Sequence, residues 1–177
     1  MLTALAIVAF VALERLVELA ISLKNTRALL ARGAVEHGAK HYPVIVVLHV
    51  AWLAALILSL PQPAVIHWPW LGAFALLQIL RIWVMASLGI WFSTRVLTIE
   101  GAPLVESGPY RYLRHPNYWI VMGEIAILPL AFGETWVALA FSMLNAAALA
   151  WRIRIEDRAL ASRRSPGPNR TLNILSR

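Results

Sequence analysis

The chain has 177 residues, 60% of them hydrophobic, with a mean hydropathy of +0.68, and it contains no cysteine. Disulfides and thiolate chemistry are therefore excluded. The net charge of +7 follows the loops between apolar stretches rather than a binding face, so nucleic acid is not expected as a partner.

Five apolar stretches approach the ~20 residues needed to cross a hydrocarbon core of ~30 Å. They fall near 2–23, 43–60, 69–92, 117–133 and 134–153. The expected fold class is all-α, a polytopic membrane helical bundle of about five transmembrane helices. One membrane domain should cover 1–160, and a basic, Pro- and Gly-containing tail over 161–177 should be mobile.

The first stretch lacks a basic n-region and carries Glu14, Arg15 and Glu18 inside it, unlike a signal peptide, so it is expected to stay attached. Glu14, Glu18, Ser22 and Asn25 step by four, four and three and stack on one helix face. In the loop that follows, His37 and His41 have i, i+4 spacing but no supporting cluster, so no metal site is expected. Gln78 and Arg81 make a polar pair on the third stretch, and Glu124 lies within the fourth. A charge at mid-bilayer costs about 2.5–3.5 kcal/mol on insertion scales, so these groups should face one another or water. They form either an ion-pair network joining the first and third helices or the lining of a polar cavity.

The basic residues also set an orientation. Lys24, Arg27, Arg32 and Lys40 occupy the first loop, Arg95, Arg111 and Arg114 the third, and seven more follow from Arg152 onward. The loop from Pro61 to Trp68 has none. Under the positive-inside rule the N terminus lies outside and the C terminus in the cytoplasm. The Ala-rich composition suits a bacterial cytoplasmic (inner) membrane.

Ahead of the fourth stretch, Gly108 to Tyr118 reads G-P-Y-R-Y-L-R-H-P-N-Y. Pro116 suits the first turn of a helix, where a missing N–H is not needed. The free amides and dipole there favour an anionic group. Pro109 and Pro116 stiffen the segment and reduce the entropy lost on binding. On the fifth stretch Ser142, Asn145, Leu149, Arg152 and Glu156 recur at helical spacing. A tight hairpin at Gly133 and Glu134 lets that face meet His115, Asn117 and Tyr118. Trp151, Arg154 and Arg158 equally suit an interfacial belt of snorkelling side chains.

The motif at 108–118, followed by Glu124 and by R-I-R-I-E-D at 152–157, resembles the isoprenylcysteine carboxyl methyltransferase superfamily of integral membrane enzymes. The match falls on Arg114, His115, Pro116, Tyr118, Arg152, Ile153 and Glu156. Ile120 stands where the prenylcysteine enzymes usually carry Gly, and Asp157 replaces a second Glu. E-R-L-V-E-L at 14–19, Asn25, A-R-G-A-V-E at 31–36 and H-Y-P at 41–43 are more similar to a bacterial branch associated with type III polyketide synthases.

The resemblance implies S-adenosyl-L-methionine as cofactor, an alkylpyrone or alkylresorcinol as lipophilic methyl acceptor drawn from the membrane lipid, and a polyketide synthase as pathway neighbour. It implies catalytic roles for Arg114, His115 and Glu124, with His115 or Glu124 as base and Arg114 or Arg111 on an anionic oxygen. Tyr110, His115, Pro116, Tyr118, Asn145, Arg152 and Glu156 are the residues expected around the cofactor. Alternative readings are carboxyl methylation of a prenylcysteine-like substrate, phospholipid N-methylation, an NADPH-dependent sterol-reductase-like activity and a non-catalytic scaffold.

Overall fold

The computed structural model describes residues 1–164, with side chains described through Ala161. Five helices dominate: α1 (Leu2–Leu30), α2 (Tyr42–Ser59), α3 (Trp68–Leu88), α4 (Pro116–Ala131) and α5 (Thr135–Arg164). The all-α expectation holds, with one addition. Strand β1 (Val35–His37) pairs antiparallel with β2 (Val96–Thr98), Glu36 opposite Leu97, in a short ribbon at one end of the bundle. Three-residue strands embedded in polar loops leave no alternation to read.

Three helical segments, Ala39–Ser59, Trp68–Trp91 and Thr135–Ala161, are long and apolar enough to cross a membrane by length and composition alone. Most of their surface faces outward, as Leu58, Ile79, Trp136 and Met143 show at 86%, 65%, 82% and 75% exposure. Apolar surface of that extent is suited to lipid rather than water. The other two helices are built differently. α1 spans about 44 Å at 1.5 Å per residue but turns Glu18 and Ser22 inward, leaving Phe10, Leu13 and Leu16 outside. α4 is only about 24 Å long and is sheathed by α3 and α5, burying Ile120, Val121, Ile125 and Leu128.

The observed ends differ from the expected ones. α1 runs on to Leu30, because its last turns are polar but unbroken by Gly or Pro. α3 stops at Leu88, where Gly89 takes a positive φ of 52° and a 3₁₀ turn follows over Gly89–Trp91. α5 continues past 153 as one helix to Arg164. The first four positions of the expected tail are therefore helical, and its remainder, 165–177, lies outside the described residues.

The hairpin between α4 and α5 is as tight as expected. Gly133, at φ +78°, lets the amides of Gly133 and Glu134 return to the Leu130 and Pro129 carbonyls at 3.1 and 2.9 Å. The apolar core gathers beside it, from Val8 and Val11 on α1, Trp52 and Leu56 on α2, Phe74 on α3, and Ile125, Leu128 and Phe132.

Midway along the bundle the buried charges close on one another. Arg81 on α3 donates through Nε to Glu124 Oε1 at 2.7 Å, pairs again through Nη2 with Glu124 Oε2, and donates through Nη1 to Glu18 Oε2 at 3.1 Å. Arg15 reaches Glu18 at 3.1 Å and Glu14 at 3.2 Å, and Gln78 donates to Glu124 at 2.9 Å. Of the two arrangements open to these charges, the ion-pair network between the first and third helices is present, and it takes in the fourth.

Candidate active site

The site lies at the end of the bundle opposite the apolar core, where the entry to α4, the last turns of α5 and the segment before β2 meet. A cleft of about 730 Å³ of free space, partly open to solvent, is lined by Tyr110, His115, Asn117, Tyr118, Arg152 and Glu156 on its polar side. Leu29, Leu88, Trp91, Phe92, Leu97 and Leu160 form an apolar side.

The polar wall is built from two helix ends. Pro116 opens α4 and His115 takes the N-cap position in non-helical backbone, which frees its ring to lie over Tyr118, 5.2 Å between centroids and 19° between planes. One turn further in, the Tyr118 hydroxyl donates to Glu156 Oε2 and accepts from Arg152 Nε at 2.7 Å. Arg152 also donates through Nη1 to the Thr94 carbonyl at 2.6 Å. The second Glu156 oxygen lies 3.6 Å from His115 Nδ1, and Asp157 Oδ1 lies 3.5 Å from His115 Nε2.

Tyr110 arrives from the 3₁₀ turn Gly108–Arg111. Gly108 holds a φ of +57°, and a Cβ there would run into Ser87 Oγ, so only glycine lets this turn rest on the end of α3. Burial, reinforced by the neighbouring Glu156 carboxylate, pushes the Tyr110 phenol above its usual range, so it stays protonated and able to donate.

The third wall is held by α1. Ser22 Oγ and Thr94 Oγ1 share a 2.8 Å hydrogen bond, and the Thr94 amide donates to Ser22 Oγ at 2.8 Å. Asn25 Nδ2 donates to the Gly89 and Phe92 carbonyls at 3.1 and 2.9 Å. Arg95 grips Glu36 at 2.8 and 2.9 Å and lies over the Tyr42 ring at 4.7 Å, locking the ribbon against the start of α2. The stripe read on α1 therefore does two things: Glu18 enters the charge network, and Ser22 and Asn25 shape the cleft.

Of the residues expected at the site, Tyr110, His115, Tyr118, Arg152 and Glu156 come together, with Pro116 buried beneath as the helix start. Arg114 is exposed and outside the cleft lining. Asn145 is 2% exposed and also outside the lining. Glu124 lies deeper in the bundle, engaged by Arg81 and Gln78. Residues that sequence reasoning left without a role also line the cleft: Asn117, visible inside the motif, and Ser93, Arg95 and the apolar wall, which carry no motif.

The sequence profile of the isoprenylcysteine carboxyl methyltransferase family matches residues 70–162, a range that holds every residue lining this cleft except Leu29. The uncharacterized protein YpbQ of Bacillus subtilis is 37% identical over 161 residues, covering 87% of this chain and 94% of that protein. An uncharacterized protein of Haemophilus influenzae is 26% identical over 152 residues, covering 83% and 88%. No solved structure matches. With its profile match spanning more than half the sequence and falling on the helix ends that build the cleft, this chain belongs to the isoprenylcysteine carboxyl methyltransferase family.

Proposed function

We propose that the chain transfers a methyl group from S-adenosyl-L-methionine to a hydroxyl, or a carboxyl, of a lipophilic small molecule, an alkylpyrone or alkylresorcinol, at the cytoplasmic face of a bacterial inner membrane. The observation that carries this reading is the division of one cleft into a polar wall at His115, Tyr118 and Glu156 and an apolar wall at Leu88, Trp91 and Leu97. A polar, charged donor and a greasy acceptor both find complementary surface there.

The polar wall suits the cofactor's chemistry. Asn117 Oδ1 is buried without a hydrogen-bond partner among the described residues, and Glu156 keeps one oxygen that Tyr118 does not occupy. The cofactor would supply the sulfonium-bound methyl group. Glu156 would receive an ammonium or ribose hydroxyl, and Tyr110, on the same polar side of the cleft, would donate to the cofactor. Arg152 already serves the Tyr118 hydroxyl and the Thr94 carbonyl. It is therefore a positioning residue that fixes Tyr118, and through it Glu156.

Displacement at a sulfonium needs alignment more than covalent help, and orientation contributes several kcal/mol to such reactions. A 4-hydroxypyrone enol ionises readily, whereas a resorcinol hydroxyl benefits from a base. His115 would act as that base, and the Glu156 and Asp157 carboxylates, 3.6 and 3.5 Å from its two ring nitrogens, would stabilise the imidazolium formed when it takes the hydroxyl proton.

Calorimetry with S-adenosylhomocysteine on the folded, purified protein tests the cofactor assignment, and absence of binding would sink it. Mass spectrometry of lipid extracts from cells with and without the chain should show a gain of one methyl on alkylpyrones or alkylresorcinols. His115→Ala should lower methylation of a resorcinol by about 10²–10⁴-fold when compared at saturating cofactor, beyond any loss of S-adenosylhomocysteine affinity.

A further inference from the structure

We propose that Asn117 reads the adenine ring of the bound nucleoside, so that this side chain sets the base specificity of the cleft. The assignment rests on the methyl-donor reading above and adds to it a residue that the motif resemblance leaves without a role.

Asn117 is the second residue of α4 and lines the cleft together with Tyr110 and Tyr118. Its amide makes no hydrogen bond among the described residues, and Oδ1 is buried. A buried acceptor without a partner is costly, so in folded proteins such an atom is taken up by ordered water or by a ligand. Two neighbouring polar groups of the wall are already committed, Tyr118 to Glu156 and Arg152, and Arg152 to Thr94 as well, while Glu156 keeps one oxygen that Tyr118 does not occupy.

A carboxamide presents one acceptor and two donors in a plane. That pattern is complementary to the adenine edge, whose exocyclic amine donates and whose neighbouring ring nitrogen accepts. The cationic amino group of the donor is better matched by the Glu156 carboxylate, where opposite charges meet. The neutral amide is thus left for the neutral base. Asn117 Oδ1 accepts from the exocyclic amine, and Nδ2 donates to the ring nitrogen.

The test compares S-adenosylhomocysteine with its 6-deamino analogue, in which a hydrogen replaces the exocyclic amine and the ring nitrogens are kept. Wild-type protein should bind the adenosyl compound about tenfold more tightly or better, because the analogue leaves Asn117 Oδ1 buried without a donor. Asn117→Leu, similar in shape, should bind the two with nearly equal affinity. Its unliganded thermal midpoint should be no lower than that of the wild type, because an unpaired polar group has been removed.

An unchanged preference in Asn117→Leu, or an equal loss for both ligands, would overturn the base assignment while leaving the methyl-donor reading standing. If the wild type binds neither compound, that reading falls and takes this one with it.

Discussion

Glu124 and Gly108 carry opposite lessons at the scale of single residues. Glu124 follows the motif and looks like a base from its position in the chain, yet both its oxygens are occupied by Arg81, with Gln78 and Arg15 beside them. Glu124→Gln should cost about 3–5 kcal/mol of stability, because Arg81 is left under-compensated in a buried setting. Thermal unfolding in detergent measures this. A variant of wild-type stability with lost methylation would instead give Glu124 a chemical role. Gly108, by contrast, is legible as a motif residue but its reason is not, since Ser87 meets it only in three dimensions. Gly108→Ala should fold poorly or lose S-adenosylhomocysteine binding. Left-handed backbone costs a non-glycine residue roughly 1–2 kcal/mol, and the clash with Ser87 adds to it. Wild-type binding by Gly108→Ala would show that the turn does not need this conformation.

Among the elements, the helices were legible because their signals are local: long apolar runs, Pro at the start of α4 and Gly at its hairpin. The convergence of His115 and Glu156 was also legible, since a short hairpin forces α4 and α5 to be antiparallel neighbours. The stretch from Gly89 to Thr98 was not. Its shape is dictated by contacts with α1 more than sixty residues earlier in the chain, through Ser22, Asn25 and Thr26. The polar stripe on α1 was visible, but spacing alone cannot name the partner of each member. Asn25→Ala removes two donated hydrogen bonds and leaves two carbonyls short of a partner. A loss of about 1–3 kcal/mol is expected, with faster hydrogen exchange over residues 89–97 and weaker S-adenosylhomocysteine binding. Unchanged exchange there would separate α1 from the cleft.

For the molecule as a whole, orientation in the membrane is an inference from charge, and the cysteine-free sequence makes it directly testable. Single cysteines placed at exposed Arg32 and Val65, as Arg32→Cys and Val65→Cys, should react with an impermeant maleimide from opposite sides of the membrane. Arg32→Cys should be labelled only after the cytoplasmic side is opened, and Val65→Cys in intact cells. The reverse pattern would put the cleft on the outer face.

The unbroken run of α5 from Thr135 to Arg164 ties the cleft to the bilayer thickness in a way that can be tested. Sixteen residues, about 24 Å at the helical rise, separate outward-facing Trp136 from Arg152, with no hinge among the described residues to absorb a change in distance. A change of bilayer thickness that tilt does not absorb should therefore raise or lower the cleft as a body, like a float on a fixed stem. Reconstitution in phosphatidylcholines of graded acyl length should give turnover that peaks at one thickness and falls on both sides, while cofactor affinity in detergent stays constant.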